Sequence, residues 1–190
     1  MGVMPIAPSL IVALVGEPGC GKVAAARHLE ERTGFRRVGF TDRINAMLRV
    51  GLNLTDLQLD GDAKHTPLDE MGGVTPVHLK QTLGYEWGRV RVHSDVWVNL
   101  WKADVLALAG QGIVVDDIRF ANEASAVRAL GGTVIRIERP GISRPERASD
   151  RHARDIACDT TVVNDKGLGD LYRSLERAID RARRSPAVAA

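Results

Sequence analysis

The chain has 190 residues, 44% hydrophobic and 26% charged, with a formal net charge of +2 at pH 7. This is ordinary globular composition, and it excludes collagen-like, low-complexity and wholly disordered chains. The near balance of charge argues against a general nucleic-acid binder. With 21 Arg against 5 Lys, and Arg suited to a bidentate grip on phosphate, where the Arg cluster matters more than their total.

Cys20 and Cys158 are far apart and form no CxxC pair, so neither a zinc site nor a disulfide framework is expected. The first nine residues lack a secretory pattern, and no apolar run approaches the ~20 residues of a membrane span. A cytoplasmic protein with no membrane partner is the expectation.

Leu10–Val15 reads as a short buried strand ended by Gly16. A helix is predicted from Gly21 to Thr33, with Gly34 as its stop. A weak second strand is predicted over Arg37–Phe40. Asp42 begins a helix reaching about Val50, with Ile44, Met47 and Leu48 on one face. Residues 51–75 are polar and poorly periodic and read as a long excursion. Thr75-Pro76 opens a helix expected to end at Gly84, and Ser94–Ala109 is an amphipathic helix. Ile113–Val115 is a strand running into Asp116-Asp117. Then follow a helix over Asn122–Leu130, a strand over Thr133–Ile137, a last strand over Thr160–Val163 and a closing helix over Leu168–Arg183. This alternation predicts an α/β three-layer fold with a mainly parallel, five-stranded sheet. Ligands of such sheets collect beyond the carboxyl ends of the strands. Chemistry is therefore expected just after Val15, Phe40, Val115 and Val163.

The segment Gly16-Glu17-Pro18-Gly19-Cys20-Gly21-Lys22 matches G-x4-G-K between a strand and a helix. Its glycines let backbone amides turn around phosphate oxygens. The following helix adds positive potential, and Lys22 can reach the β- and γ-phosphates. The hydroxyl that usually follows the lysine and touches Mg²⁺ is missing, since Val23 and Ala24 stand there. Any Mg²⁺ would be held by phosphates, waters and a carboxylate elsewhere. Asp117 ends a strand as a metal-orienting acid would. It either orients a metal-bound water, with Arg119 holding a phosphate, or it caps the next helix or pairs with Arg119. Asn122 and Glu123 are expected to begin that helix.

Arg136, Arg139, Arg144, Arg147, Arg151 and Arg154 fall within nineteen residues of a Pro- and Gly-containing stretch. They form either a lid over a transferring phosphoryl group, with Arg144, Arg147 and Arg151 as its catalytic candidates, or a solvated loop paired with local acids. Gln81, Trp87, Arg89 and Trp97 could stack a base and clamp a monophosphate, although aromatics at helix ends more often belong to a core. His28, His65, His78 and His93 show no metal-ligand spacing. Arginines on the closing helix alternate with Glu176 and Asp180 and read as a solvated face.

Four stretches together resemble a known family. They are Gly16–Lys22, Leu83-Gly84-Tyr85-Glu86-Trp87-Gly88-Arg89, Val115–Glu123 with Leu130-Gly131-Gly132 behind it, and Val163-Asn164-Asp165. The chain resembles the deoxynucleoside monophosphate kinases of tailed bacteriophages, in the P-loop nucleoside monophosphate kinase group. That resemblance implies transfer of a phosphoryl group from ATP, with Mg²⁺, to a deoxynucleoside 5′-monophosphate. It implies a single P-loop kinase domain: a core over 9–50 and 110–183, an acceptor-binding insert over 51–109, a lid over 139–156 and a disordered tail over 184–190. Gly16, Pro18, Gly19, Cys20, Gly21, Lys22 and Val23 would surround the donor phosphates, with Asn164 near the adenine. Arg89 and Arg119 would bind the acceptor phosphate, with Asp42 and Arg43 beside it and Trp87 and Trp97 supporting the base pocket. The partners would be small nucleotides, with no stable nucleic acid, a homodimer left open, and a host cytoplasm if the gene is a phage's. The chain departs from the family where a threonine is usual (Ala24), where a lysine is common (Asn45), and where H-x-S-E is common (His152-Ala153-Arg154-Asp155). The competing readings are a kinase of another small acceptor, such as dephospho-coenzyme A, and a non-catalytic nucleotide-binding module.

Overall fold

The computed structural model describes residues 10–108, 110–142 and 153–184. Contacts divide the chain into two compact units, one from residues up to Gly39 and from Trp101 onward, the other Phe40–Leu100.

In the first unit five strands form one sheet: β1 (Leu10–Val15), β2 (Arg36–Arg37), β3 (Gly112–Val115), β4 (Thr133–Glu138) and β5 (Thr160–Val163). Their spatial order is β2-β3-β1-β4-β5, and every pairing is parallel, as expected. The central strands are continuous apolar runs because both faces are covered. Val12, Leu14, Val114, Ile135 and Ile137 share a buried cluster with Leu29 of α1 (Lys22–Thr33) and with Leu171 and Leu175 of α7 (Leu168–Arg184). On the other face lies α6 (Ala121–Ala129). There Gly132 leaves room for Val127 and Ile11, which an added Cβ would meet at 2.6 and 2.8 Å. The three layers hold the carboxyl ends of β1, β3, β4 and β5 on one edge, followed at once by Gly16, Asp116, Arg139 and Asn164.

The second strand is shorter than the predicted Arg37–Phe40. Its ladder with β3 ends when the Val38 N–H donates to the Val114 carbonyl at 3.0 Å. His28 stacks on Tyr172 with ring centroids 4.0 Å apart.

The second unit contains α2 (Asp42–Leu52), α3 (Asp56–Leu59), α4 (Pro76–Gln81) and a π-helix over Thr82–Val92. It also holds the start of α5 (Val96–Ala107). Two expectations are corrected here. Residues 51–75 are not an unstructured excursion. They fold into α3 and two single 3₁₀ turns because Leu54, Leu59 and Leu68 each bury against Ile44, Leu48 and Trp97. Thr55 and Gln58 close a capping box that starts α3. Nor does the helix stop at Gly84. It continues with π geometry, ending where the His93 N–H donates to the Gly88 carbonyl at 2.9 Å. Packing overrides the poor helical propensity of the two glycines.

Candidate functional site

The phosphate loop is built by the end of β1 and the start of α1. Gly19 and Gly21 have φ of 87° and 114°, left-handed conformations that a side chain would strain. Gly21 is doubly required, because an added Cβ would lie 2.9 Å from both Asn164 Nδ2 and Leu171 Cδ2. Asn164 is buried and donates its amide N–H to the Cys20 carbonyl at 2.9 Å. It braces the loop from behind. Lys22 donates its ammonium to the Gly16 carbonyl and, at 3.0 Å, to the Glu17 carbonyl. Pro18 and Val23 are exposed on the loop, and Cys20 is buried beneath it. Arg139 Nη1 donates to the Gly19 carbonyl at 3.4 Å.

At the end of β3 the two carboxylates differ. Asp116 has only 3% of its side chain exposed and accepts from Arg37 Nε at 2.8 Å and Nη2 at 2.7 Å. Burial pushes the Asp116 pKa up, and the Arg37 guanidinium works against that rise. Asp117 is half-buried, and Arg119 is exposed. The Glu123 carboxylate accepts the backbone N–H groups of Arg119 and Phe120 at 2.7 and 3.0 Å. Glu123 therefore caps α6.

In the second unit Asp42 and Arg43 are exposed on the first turn of α2, and Gln81 is exposed at the end of α4. Trp97 is 3% exposed and donates its indole N–H to the Gly84 carbonyl at 2.7 Å. Gly88 lies flat against the same indole, where a Cβ would come within 2.5–2.6 Å. Trp97 thus locks the π-helix from inside, while Trp87, 45% exposed, stands on its outer side. The two ring centroids are 6.3 Å apart. π-Helical turns often mark functional sites. Here one carries Glu86, Trp87 and Arg89, with Arg89 Nη1 donating to the Ser94 carbonyl at 2.8 Å. Trp87 and Glu86 border an open groove of about 550 Å³ floored by Met47, Leu52, Leu79 and Leu83. Gln81, Arg89, Asp42 and Arg43 are not among its lining residues. The lid candidates Arg144, Arg147 and Arg151, and His152, lie outside the described residues.

Along 188 residues the chain is 30% identical to a protein of Acanthamoeba polyphaga mimivirus named as a deoxynucleotide monophosphate kinase, covering 91% of this chain and 97% of that one. The chain belongs to the deoxynucleotide monophosphate kinase family. A second member, the deoxynucleotide monophosphate kinase of Enterobacteria phage T4, is 30% identical over 109 residues, 53% of this chain and 44% of its own. Among solved structures, that of TT1252 from Thermus thermophilus superposes with a TM-score of 0.51 at 17% identity, covering 92% of this chain and 98% of that one, a likeness of fold. No family model matches the chain. No helix among the described residues is long and apolar enough to cross a membrane.

The L-G-x-E-W-G-R stretch has a physical reading here: its second glycine makes room for the Trp97 ring, and the carbonyl of its first accepts from the indole N–H. Gly88→Ala is expected to lower the melting temperature by about 2–10 °C through overpacking. A thermal melt beside the parent chain checks this.

Proposed function

We infer that this member of the family transfers the γ-phosphoryl group of ATP to a deoxynucleoside 5′-monophosphate, giving the diphosphate and ADP. The observation that carries the reading is the Gly16–Lys22 loop. Two of its glycines have left-handed φ, a buried Asn164 braces it from behind, and its lysine lies along it at the ligand edge of a parallel sheet. The loop amides and Lys22 hold the donor polyphosphate. Arg89 and Arg119 bind the acceptor phosphate, with Asp42, Arg43 and Gln81 around the acceptor and Trp87 against its base. Trp97 keeps Trp87 in place from within.

An acceptor phosphate oxygen attacks the γ-phosphorus as the bond to the β–γ bridging oxygen breaks. The attacking acceptor oxygen is already ionised at neutral pH, so no general base is needed. Catalysis is positioning and charge neutralisation. Among the described residues no cluster of three or more His, Cys, Asp or Glu could by itself hold a metal. The donor set fits Mg²⁺ carried by the nucleotide, kept mostly by phosphates and waters with Asp117 reached through water, where it would neutralise phosphate charge. The lid candidates Arg144, Arg147 and Arg151 complete the proposal.

The test is ADP formation from ATP and Mg²⁺ with each of the deoxy- and ribonucleoside monophosphates and with dephospho-coenzyme A. Turnover dependent on a deoxynucleoside monophosphate is expected. Turnover with dephospho-coenzyme A alone, or ATP binding with no acceptor-dependent turnover, would overturn it.

A further inference from the structure

Glu17 sits inside the phosphate loop itself, between Gly16 and Pro18. An anion at that place repels the polyphosphate the loop is shaped to hold. Its carboxylate is not left bare. Arg154, shortly before β5, puts Nε at 3.0 Å and Nη2 at 2.7 Å from Glu17 Oε1. The Glu17 carbonyl is meanwhile held by Lys22 at 3.0 Å, while the side chain of the same residue accepts from Arg154.

Two further observations bear on what this pair can do. Arg136 on β4 donates through Nη2 to the carbonyls of Arg154 at 3.1 Å and Ile156 at 2.7 Å. The backbone that bears Arg154 is thereby stapled to the sheet, so its guanidinium swings from an anchored base. The pair is also well exposed, at 53% for the Arg154 side chain and 43% for that of Glu17. Exposed pairs of this kind are weak and exchange readily. A polyphosphate offers several negative charges and oxygens that match a guanidinium fork in pairs, and it competes well against one solvated carboxylate.

We propose that Glu17 holds Arg154 beside the empty loop and that Arg154 passes to the donor polyphosphate when ATP binds, serving there as a catalytic arginine that neutralises the transferring group. This rests on the donor-site reading above. It names one arginine for the role, and it assigns Glu17 as the residue that sets how tightly the donor is held.

The test is a mutant cycle on Glu17→Gln, Arg154→Gln and the double variant. It reads the Kd of a non-hydrolysable ATP analogue by calorimetry and kcat with ATP and a deoxynucleoside monophosphate. Thermal melts establish that each variant folds, as expected for two exposed side chains. Glu17→Gln is expected to tighten the analogue about two- to fivefold, the range of an exposed pair released. Arg154→Gln is expected to lower kcat about 10²-fold or more. In the Arg154→Gln background, the gain from Glu17→Gln is expected to shrink. A kcat within threefold of the parent for Arg154→Gln overturns the proposal, as does a Glu17→Gln gain that persists undiminished in the double variant. Failure of the parent chain to bind the analogue at all would instead overturn the donor-site reading itself.

Discussion

Replacing Lys22 with alanine is expected to cut phosphoryl transfer by about 10²–10³-fold while leaving the fold in place. The loss follows from the chemistry. The transition state spreads negative charge over the γ-phosphoryl oxygens, and a preorganised cation there contributes on the order of 3–4 kcal/mol. The fold is expected to survive because the carbonyls of Gly16 and Glu17, to which Lys22 donates, can be solvated when the side chain is shortened. The loop keeps its shape through Asn164 and the packing of Leu171 beneath Gly21. Single-turnover rates with saturating ATP, beside far-ultraviolet circular dichroism and a thermal melt, check both halves. A variant within tenfold of the parent rate would contradict the role given to Lys22.

Removing the Arg37 guanidinium is expected to have the largest effect on stability. Asp116 is almost fully buried, and Arg37 supplies both of its short hydrogen bonds. Leaving a buried carboxylate without its partner costs about 3–5 kcal/mol when both groups are enclosed. The Arg37 side chain is 41% exposed, so water can approach the vacated side, and about 1–3 kcal/mol is the fitting range. The sign with pH follows from the direction of the shift. Burial already raises the Asp116 pKa, and Arg37 opposes the rise. Without Arg37 the folded-state pKa climbs further. A carboxyl whose folded pKa lies above its unfolded value stabilises the fold fully below the unfolded value. That stabilisation is lost as pH rises through the folded value. The Arg37→Ala penalty is therefore expected to be largest at neutral pH and to shrink on acidification, once pH falls below the variant's raised pKa. Urea denaturation at pH 7.5 and at about pH 4.5 measures this. A penalty that stayed constant or grew on acidification would contradict the buried-pair account.

The sheet was legible because its central strands are short apolar runs of uniform kind, and such runs between helical patterns have few other fates. The loop was legible because its spacing is local: six residues after Gly16 stands Lys22, and strand and helix flank it. The partner of Asp116 was not legible, since Arg37 is 79 positions away and only the alignment of β2 beside β3 brings them together. The packing of Trp97 was not legible for a similar reason. Its indole N–H donates to the Gly84 carbonyl and its ring lies against Gly88, contacts that glycines in a sequence do not announce. The turns of residues 51–75 carried one overlooked signal, the Thr55-x-x-Gln58 box, and three well-separated leucines whose burial no period announces. Glu17 was visible from the outset as a letter inside the motif, yet its meaning depends on Arg154, which a sequence places 137 residues away.

The central claim is that the Gly16–Lys22 loop presents a γ-phosphoryl group to a second, singly phosphorylated nucleotide. Following the label of ATP carrying ³²P at its γ-position tests it most directly. The expected result is label in a deoxynucleoside diphosphate, formed one for one with ADP and only when a deoxynucleoside monophosphate is present. Label released as inorganic phosphate at a rate indifferent to the acceptor, or retained in intact ATP, would contradict it.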